Sequence, residues 1–214
     1  MASNKFPTTV YAEMTPNPST MKFVVDRKLV SGLHQLDFKN VNEAKVCSPL
    51  AAELFNFPFV IGVFISGEIV SVTKDESLGW EMIVMQLREY IREWLVENEF
   101  AVEEDKISEL SELSYSINQE LKSPESIEKL IESKNISPSE YDKQIGDLLS
   151  EFVRPAVEQD GGAIDFVGFN DGIVYVHLRG ACAGCPSSTE TLKGGIETLL
   201  TSKIEEVTEV VAIA

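Results

Sequence analysis

The spacing of apolar and polar residues predicts a strand and a β-hairpin in the first hundred residues. Met21 to Val25 and Phe59 to Ile65 are short apolar runs, and Glu68 to Thr73 alternates between apolar and polar positions. Gly67 lies between the last two segments, where a tight turn needs a residue without a side chain. The pattern predicts an isolated strand followed by a hairpin from Phe59 to Thr73.

Two helices are predicted around these strands. Ser48 followed by Pro49 is typical of a helix start, with a capping hydroxyl and a proline in the first turn, so a short helix is expected over Leu50 to Asn56. From Gly79 to Val96 apolar residues recur at helical spacing, with charged residues on the other side. The apolar ones are Trp80, Ile83, Val84, Leu87, Ile91, Trp94 and Leu95. Residues 1–96 are therefore expected to form a small α+β domain.

The next stretch, residues 97–137, differs in composition from both of its neighbours. It has no glycine or cysteine, carries a formal net charge of −7, and has only scattered apolar positions. Four of these, Leu110, Leu113, Ile117 and Leu121, follow helical spacing. We interpret the stretch as an acidic, partly helical linker without a core of its own.

The third region, residues 138–214, starts with a helix signal. Ser137, Pro138 and Glu140 are placed as an N-cap, a first-turn proline and the glutamate of a capping box. The apolar face is predicted to consist of Ile145, Leu148, Leu149, Phe152, Val153 and Val157. Pro155 is expected to kink or loosen the last turn, because it lacks the N–H that the helix needs. Asp160, Gly161 and Gly162 end the helix.

The rest of this region predicts two strands, a helix and a final strand. Ala163 to Phe169 and Ile173 to Leu178 are joined by Asn-Asp-Gly, a tight-turn signal. Ser187 or Ser188 is expected to cap the next helix, and Val207 to Ile213 to form the last strand. Gly194 and Gly195 inside that helix suggest close packing against the sheet or against a partner subunit. The fold class is thus α+β in two small domains, the second of α-β-β-α-β order.

Composition and charge exclude several classes of partner. The chain of 214 residues has a formal net charge of −17, which repels nucleic acids and anionic bilayers. No apolar run approaches the roughly 20 residues that span a membrane, and the first fourteen residues lack the apolar core of a signal peptide. Three cysteines are too few for a disulfide framework. We therefore expect a cytoplasmic protein with no nucleic-acid or membrane partner.

Cys182 and Cys185 form a C-x-x-C pair between a strand and the start of a helix. Two intervening residues let both sulfurs reach one metal ion or each other, and Gly180 and Gly184 leave space around them. Backbone N–H groups and the positive end of the helix are expected to favour thiolate, most of all at Cys185.

The number of ligands limits what this pair can bind. A [4Fe–4S] cluster or a structural zinc ion usually has four protein ligands, and one C-x-x-C supplies two. Cys47, His34 and His177 are poor candidates for the remainder, because none has metal-motif spacing to the pair. A second copy of the chain supplies the other two thiolates most simply, with the cluster at the interface of a homodimer.

Three hypotheses follow from the pair alone. The first is an iron–sulfur carrier, and the second is a thioredoxin-like thiol–disulfide oxidoreductase in which Cys182 attacks and Cys185 resolves. The third is a structural zinc dimer that displays the first domain to a partner. No Ser-His-Asp or paired-carboxylate constellation is evident in the sequence, so we predict that the protein is not an enzyme.

Several motifs make the resemblance to a family specific. In the third region they are Asp160-Gly161-Gly162, Gly172-Ile173-Val174-Tyr175-Val176, Gly180-Ala181-Cys182-x-x-Cys185-Pro186-Ser187-Ser188 and Thr191-Leu192-Lys193-Gly194-Gly195-Ile196-Glu197. In the first they are Thr15-Pro16-Asn17-Pro18-Ser19-Thr20-Met21-Lys22-Phe23, Ser48-Pro49-Leu50-Ala51 and Val70-Ser71-Val72-Thr73-Lys74. The chain resembles the Nfu iron–sulfur carriers, with an Nfu N-terminal domain and a NifU-type C-terminal domain.

The resemblance implies a function and its site residues. It implies that Cys182 and Cys185 bind a [4Fe–4S] cluster shared by the two subunits of a homodimer, and that the cluster passes to apo iron–sulfur proteins. An upstream assembly scaffold is the implied source of the cluster. In the family pattern the N-terminal domain contributes no ligand.

Overall fold

The computed structural model describes residues 5–31, 34–110, 131, 134, 136–183 and 186–213. The chain divides into two compact units, Met1–Ile117 and Asn118–Ala214. Each unit is a sheet with helices on one face, and each is described by itself below. None of the helices in the described ranges is long and apolar enough to cross a membrane.

The first unit contains five strands, three α-helices and a short 3₁₀ turn. Its elements are β1 (Val10–Met14), β2 (Thr20–Val25), β3 (Gln35–Phe38), α1 (Val41–Cys47), α2 (Pro49–Leu54), β4 (Val60–Ser66), β5 (Ile69–Lys74), α3 (Trp80–Glu97) and the 3₁₀ turn Glu104–Lys106. The strands form one antiparallel sheet in the order β1-β2-β5-β4-β3. The predicted isolated strand and hairpin are confirmed as β2 and β4–β5.

Local sequence signals explain the turns and helix starts of this unit. Gly67 has φ +56° in the β4–β5 turn, a conformation that side chains disfavour. The Ser48 hydroxyl accepts the Ala51 N–H at 3.2 Å and caps α2, as predicted. Ser48 also donates to the Ala101 carbonyl oxygen at 2.8 Å, which ties the chain beyond α3 to the start of α2.

The core of the first unit extends past the boundary predicted at residue 96. Ala101 and Val102 are buried in it, together with Leu87 and Ile91 of α3. The first residues of the acidic stretch therefore belong to this unit, because their small apolar side chains fill space beside Ser48. Residues 111–130 lie outside the described ranges, and their assignment to a linker stays a prediction.

The second unit has the predicted α-β-β-α-β order. Its elements are α4 (Asp142–Leu148), a π-helical turn (Leu149–Val153), α5 (Arg154–Gln159), β6 (Gly162–Asn170), β7 (Ile173–Gly180), α6 (Pro186–Lys203) and β8 (Glu209–Ile213). β6 and β7 form an antiparallel hairpin, and β8 lies parallel to β7 on its other side. The hairpin turns at Asp171 and Gly172, with φ +48° and +82°.

The first helix of this unit begins later than predicted. It begins at Asp142, and its N-cap position, Tyr141, makes no side-chain cap bond. The Asp142 carboxylate accepts the Ser139 N–H at 3.0 Å and the Ser139 hydroxyl at 2.6 Å. The prediction of a box from Ser137 to Glu140 was therefore wrong, since the reciprocal pairing lies two residues further on.

The π-helical turn changes which side chains reach the core. Pro155 has no N–H for the carbonyl of residue 151 and its ring would collide with that carbonyl, so the helix widens just before it. The buried residues Ile145, Leu149, Val153 and Val157 are four apart, a period between those of an α-helix and a π-helix. Phe152 falls off this face and is 53% exposed, so its prediction as a core residue was wrong.

Helix α6 packs on the sheet through Ile196 and Leu200, which are buried. A side chain at Gly194 or Gly195 would meet nothing within 4 Å, so the predicted packing of these glycines against the sheet is wrong. Their packing against a partner subunit stays a prediction. The Glu197 carboxylate accepts the N–H of Val210 at 3.0 Å and so ties α6 to the outer strand β8.

Candidate functional site

The loop between β7 and α6 carries Cys182 and is attached to the start of β6. Gly180, the last residue of β7, has φ +62°, and its carbonyl accepts the Ala183 N–H at 3.1 Å. The Ala181 N–H donates to the Gly161 carbonyl at 3.2 Å, and Gly161 itself has φ +79°. These two bonds fix the backbone on both sides of Cys182.

The Cys182 side chain lies against Gly162, the first residue of β6. A methyl group at position 162 would be 2.7 Å from Cys182 Sγ, 2.8 Å from the Arg179 carbonyl oxygen and 3.1 Å from the Cys182 nitrogen. Ordinary contacts to such a group begin at 3.4 Å. The sulfur therefore occupies space that any other residue at 162 would fill.

Burial decides the protonation of this thiol. Cys182 is 8% exposed and packs with the core of the second unit. Burial, followed by the negative charge of Asp160, raises the pKa of Cys182 to about 11 from its ordinary 9.0. The predicted preference for thiolate is thus wrong for Cys182 in the cluster-free chain, because desolvation outweighs nearby backbone dipoles.

Cys185 and Gly184 lie outside the described residues, so the distance between the two sulfurs is not part of the structure. The helix that follows begins at Pro186. Ser187 and Ser188 therefore stand in its first turn and not at its N-cap, which corrects the predicted capping. The assignment of Cys185 as a ligand stays a prediction.

The other candidate ligands are not gathered around Cys182. Cys47 ends α1 inside the core of the first unit, where it is fully buried, and burial followed by Glu103 raises its pKa to about 11. His177 lies on β7 opposite Asp165, between two core residues of the strand. Within the described parts of the chain, no group of three or more His, Cys, Asp or Glu side chains can hold a metal ion.

Sequence reasoning missed an ion pair beside the loop. Arg179 donates from Nη2 and Nε to one oxygen of Asp165, at 2.7 and 2.9 Å. The strand register pairs Asp165 with His177, so Arg179 is its diagonal neighbour across the hairpin. The hairpin signal at Asp171-Gly172 gives this register and was sufficient to find the pair, which holds the end of β7 against β6 just before the loop.

Family models match both halves of the chain. The model described as "NifU-like domain" matches residues 145–211, and "Scaffold protein Nfu/NifU N terminal" matches residues 10–98. A solution NMR structure of a NifU-like protein from Saccharomyces cerevisiae aligns with 44% of this chain and 82% of its own, at 23% identity and a TM-score of 0.40.

Curated relatives match nearly the whole chain. It is 32% identical over 204 residues to NifU-like protein 4, mitochondrial, of Arabidopsis thaliana, which covers 92% of this chain and 63% of that protein. It is 31% identical over 199 residues to NFU1 iron-sulfur cluster scaffold homolog, mitochondrial, of Homo sapiens, which covers 92% and 69%. The chain spans 60% to 65% of the length of several of these relatives.

The relatives correct one prediction and establish another. Their names place them in the mitochondrion, which contradicts the predicted cytoplasmic location. The cysteine argument excluded only oxidising compartments and did not distinguish among the others. With matches over both domains and over most of its length, the chain belongs to the Nfu/NifU scaffold protein family.

Proposed function

We propose that this protein is an iron–sulfur cluster scaffold, and not an enzyme, which assembles a [4Fe–4S] cluster and passes it to apo iron–sulfur proteins. The cluster is cargo, held between two copies of the chain by Cys182 and Cys185 of each. An upstream assembly scaffold supplies it. The names of the relatives support the scaffold role, and the cluster type, the homodimer and the transfer are the finer parts of the proposal.

The observation that carries the proposal is the setting of Cys182. A thiol lies in a loop whose backbone is held from both sides, and a residue without a side chain makes room for it. Thiolate sulfur is the ligand that iron–sulfur clusters use. The described residues add no further ligand near it, which supports a shared site completed by a second copy.

Transfer needs a site that opens. A cluster held by two loops is released when the two copies separate, because neither copy alone offers four thiolates. Loading must also remove the proton from Cys182, whose raised pKa of about 11 keeps it neutral in the cluster-free chain. We therefore expect loading to release protons and to be favoured as pH rises.

The same raised pKa argues against the oxidoreductase alternative. An attacking cysteine must be thiolate and reachable, and its pKa is best near the ambient pH. Cys182 is largely buried and neutral, so it is a poor attacking group in this state. A zinc dimer uses the same four thiolates and is separated from the scaffold only by experiment.

Anaerobic native mass spectrometry after incubation with iron and sulfide tests the proposal. The wild-type chain is expected to form a brown dimer that is heavier by one unit of four irons and four sulfides. Cys182→Ala and Cys185→Ala should lose that mass, and Cys47→Ala should keep it because Cys47 belongs to the core of the first unit.

The other outcomes identify the alternatives. A colourless dimer that carries zinc, and no cluster after reconstitution, would support the zinc hypothesis. A monomer that becomes two hydrogens lighter on oxidation, without bound metal, would support the oxidoreductase.

A further inference from the structure

The glycine doublet that precedes β6 has no part in the scaffold function as stated so far. Gly161 turns the chain from α5 into β6 and accepts the Ala181 N–H. Gly162 has no such turn to make, because it is already paired in the strand opposite Gly180. Glycine weakens a strand, so its presence at 162 needs a reason other than backbone conformation.

The reason lies in what a side chain at 162 would displace. The 2.7 Å approach to Cys182 Sγ is shorter than real Cβ contacts, and the Arg179 carbonyl at 2.8 Å blocks the other direction. The sulfur therefore rests directly on the backbone of Gly162. Because Cys182 is only 8% exposed there, solvent and reagents reach little of its side chain.

A sulfur in this position is not ready to bind a cluster. Protein atoms surround most of it, so an iron atom can bond to it only after the side chain rotates or the loop shifts outward. The described geometry is thus that of an unloaded thiol set aside from its partner cysteine and from solvent.

We propose that Gly162 is a seat that shelters the Cys182 thiol while the chain carries no cluster, and that the sulfur leaves this seat to bind its cargo. What Cys182 does once loaded rests on the proposed function, but the sheltering is a property of the cluster-free chain.

Shelter matters because an unloaded C-x-x-C pair is easily oxidised. A peroxide would join the two sulfurs in a disulfide, taking up both thiol hydrogens and leaving two molecules of water. The disulfide has no free thiolate for iron. Holding one sulfur of the pair against Gly162 keeps the chain able to load again.

Alkylation of the cluster-free, full-length chain tests the seat. Iodoacetamide bonds to sulfur and releases iodide and a proton, and peptide mass spectrometry reads its rate separately at Cys182 and at Cys47. In Gly162→Ala the sulfur is pushed outward, and we expect alkylation of Cys182 to be roughly tenfold faster than in the wild type. An unchanged rate would overturn the proposal.

Matched controls separate the seat from general loosening. Gly146→Ala, at a helical position where an added methyl meets nothing within 4 Å, should alkylate Cys182 at the wild-type rate. Cys47, fully buried in the first unit, should react at the same slow rate in every variant. Acceleration at Cys182 equal to that in Gly146→Ala would contradict the seat.

If Gly162→Ala is too unstable for this comparison, a double-mutant cycle decides. The loss in urea midpoint caused by Gly162→Ala is measured in the native chain and in Cys182→Ala. A seat for sulfur predicts a clearly smaller loss in Cys182→Ala, because the closest contact is gone. Equal losses would assign the clash to the Arg179 backbone and overturn the proposal.

The two proposals fail in different ways. If Cys182 reacts faster in Gly162→Ala but the wild-type chain binds no cluster, the scaffold function is wrong and the shelter remains. If the wild-type chain binds its cluster and Gly162→Ala leaves alkylation unchanged, the reverse holds.

Discussion

The two units of this chain each bury a cysteine, and the two cysteines differ in what surrounds them. Cys47 ends a helix in the first unit, is fully buried, and has a pKa raised to about 11. Cys182 follows a strand in the second unit, is 8% exposed, and has a pKa raised to the same value. Burial is the main cause in both, with one neighbouring carboxylate adding to it.

The comparison shows that burial and pKa do not separate a structural thiol from a functional one. Cys47 is surrounded by apolar side chains that fill the core, whereas Cys182 rests on bare backbone at Gly162 in a loop. Side chains around a thiol keep it in place, but a glycine under a thiol at the edge of a core leaves it a way out. The local backbone therefore distinguishes the two units.

The largest effect is expected from a cavity in the first unit. Leu87 of α3 is fully buried, and Leu87→Ala should lower the free energy of unfolding by roughly 2–5 kcal/mol. Urea denaturation measures it, with Met85→Ala as the control because Met85 on the same helix is 59% exposed. Loss of cluster binding in Leu87→Ala under conditions where the chain stays folded would show that the site depends on the first unit.

A change of pH should reveal the buried thiol of the first unit. The folded chain holds the Cys47 proton up to its raised pKa of about 11, whereas the unfolded chain releases it near 9.0. The folded state binds more protons in this window, so the free energy of unfolding falls as pH rises through it, by up to about 2 kcal/mol for this thiol.

Urea denaturation at both ends of that window measures the fall, in a Cys182→Ala background that removes the other raised thiol. Cys47→Ala in the same background should show a smaller fall. Identical curves would mean that Cys47 is more hydrated in the folded chain than its burial indicates.

A smaller effect of opposite sign is expected on α6. Gly194 lies inside the helix with nothing within 4 Å of an added methyl group, so Gly194→Ala should raise stability by about 1 kcal/mol through helix propensity. Thermal unfolding of the cluster-free chain measures it. If the variant is stabilised and yet forms less cluster-bound dimer, Gly194 packs against the partner copy; unchanged dimer formation would contradict that packing.

The smallest effect is expected at Phe152. Its ring is 53% exposed because the π-helical turn moves it off the buried face, so Phe152→Ala should change the free energy of unfolding by less than about 0.5 kcal/mol. Val153→Ala, one residue further along and buried, is the control and should cost clearly more. Similar losses for both would place Phe152 in the core after all.

Sequence patterns predicted the elements whose signals are local. Gly67 and Asp171-Gly172 mark two hairpins, and Ser48-Pro49 marks a helix start, because each signal acts within a few residues of itself. The position of Cys182 between β7 and α6 followed from the same signals.

The errors arose where distant contacts decide. Phe152 fits a regular helix, and only the widening before Pro155 removes it from the core. The neutral state of Cys182 depends on Gly162 and Asp160, about twenty residues earlier in the chain. Ser137 and Ser139 offered two similar caps, and the carboxylate of Asp142 selected the second. Periodicity and helix dipoles do not contain this information.

The bond from the Glu197 carboxylate to the Val210 N–H has a consequence for solubility. β8 is the outer strand of its sheet, and an exposed strand edge invites copies of a chain to add on and grow into aggregates. The carboxylate occupies a donor on that edge and places a negative charge beside it. For a protein whose proposed work brings two copies together at one loop, closing the sheet edge keeps that meeting from turning into a fibre.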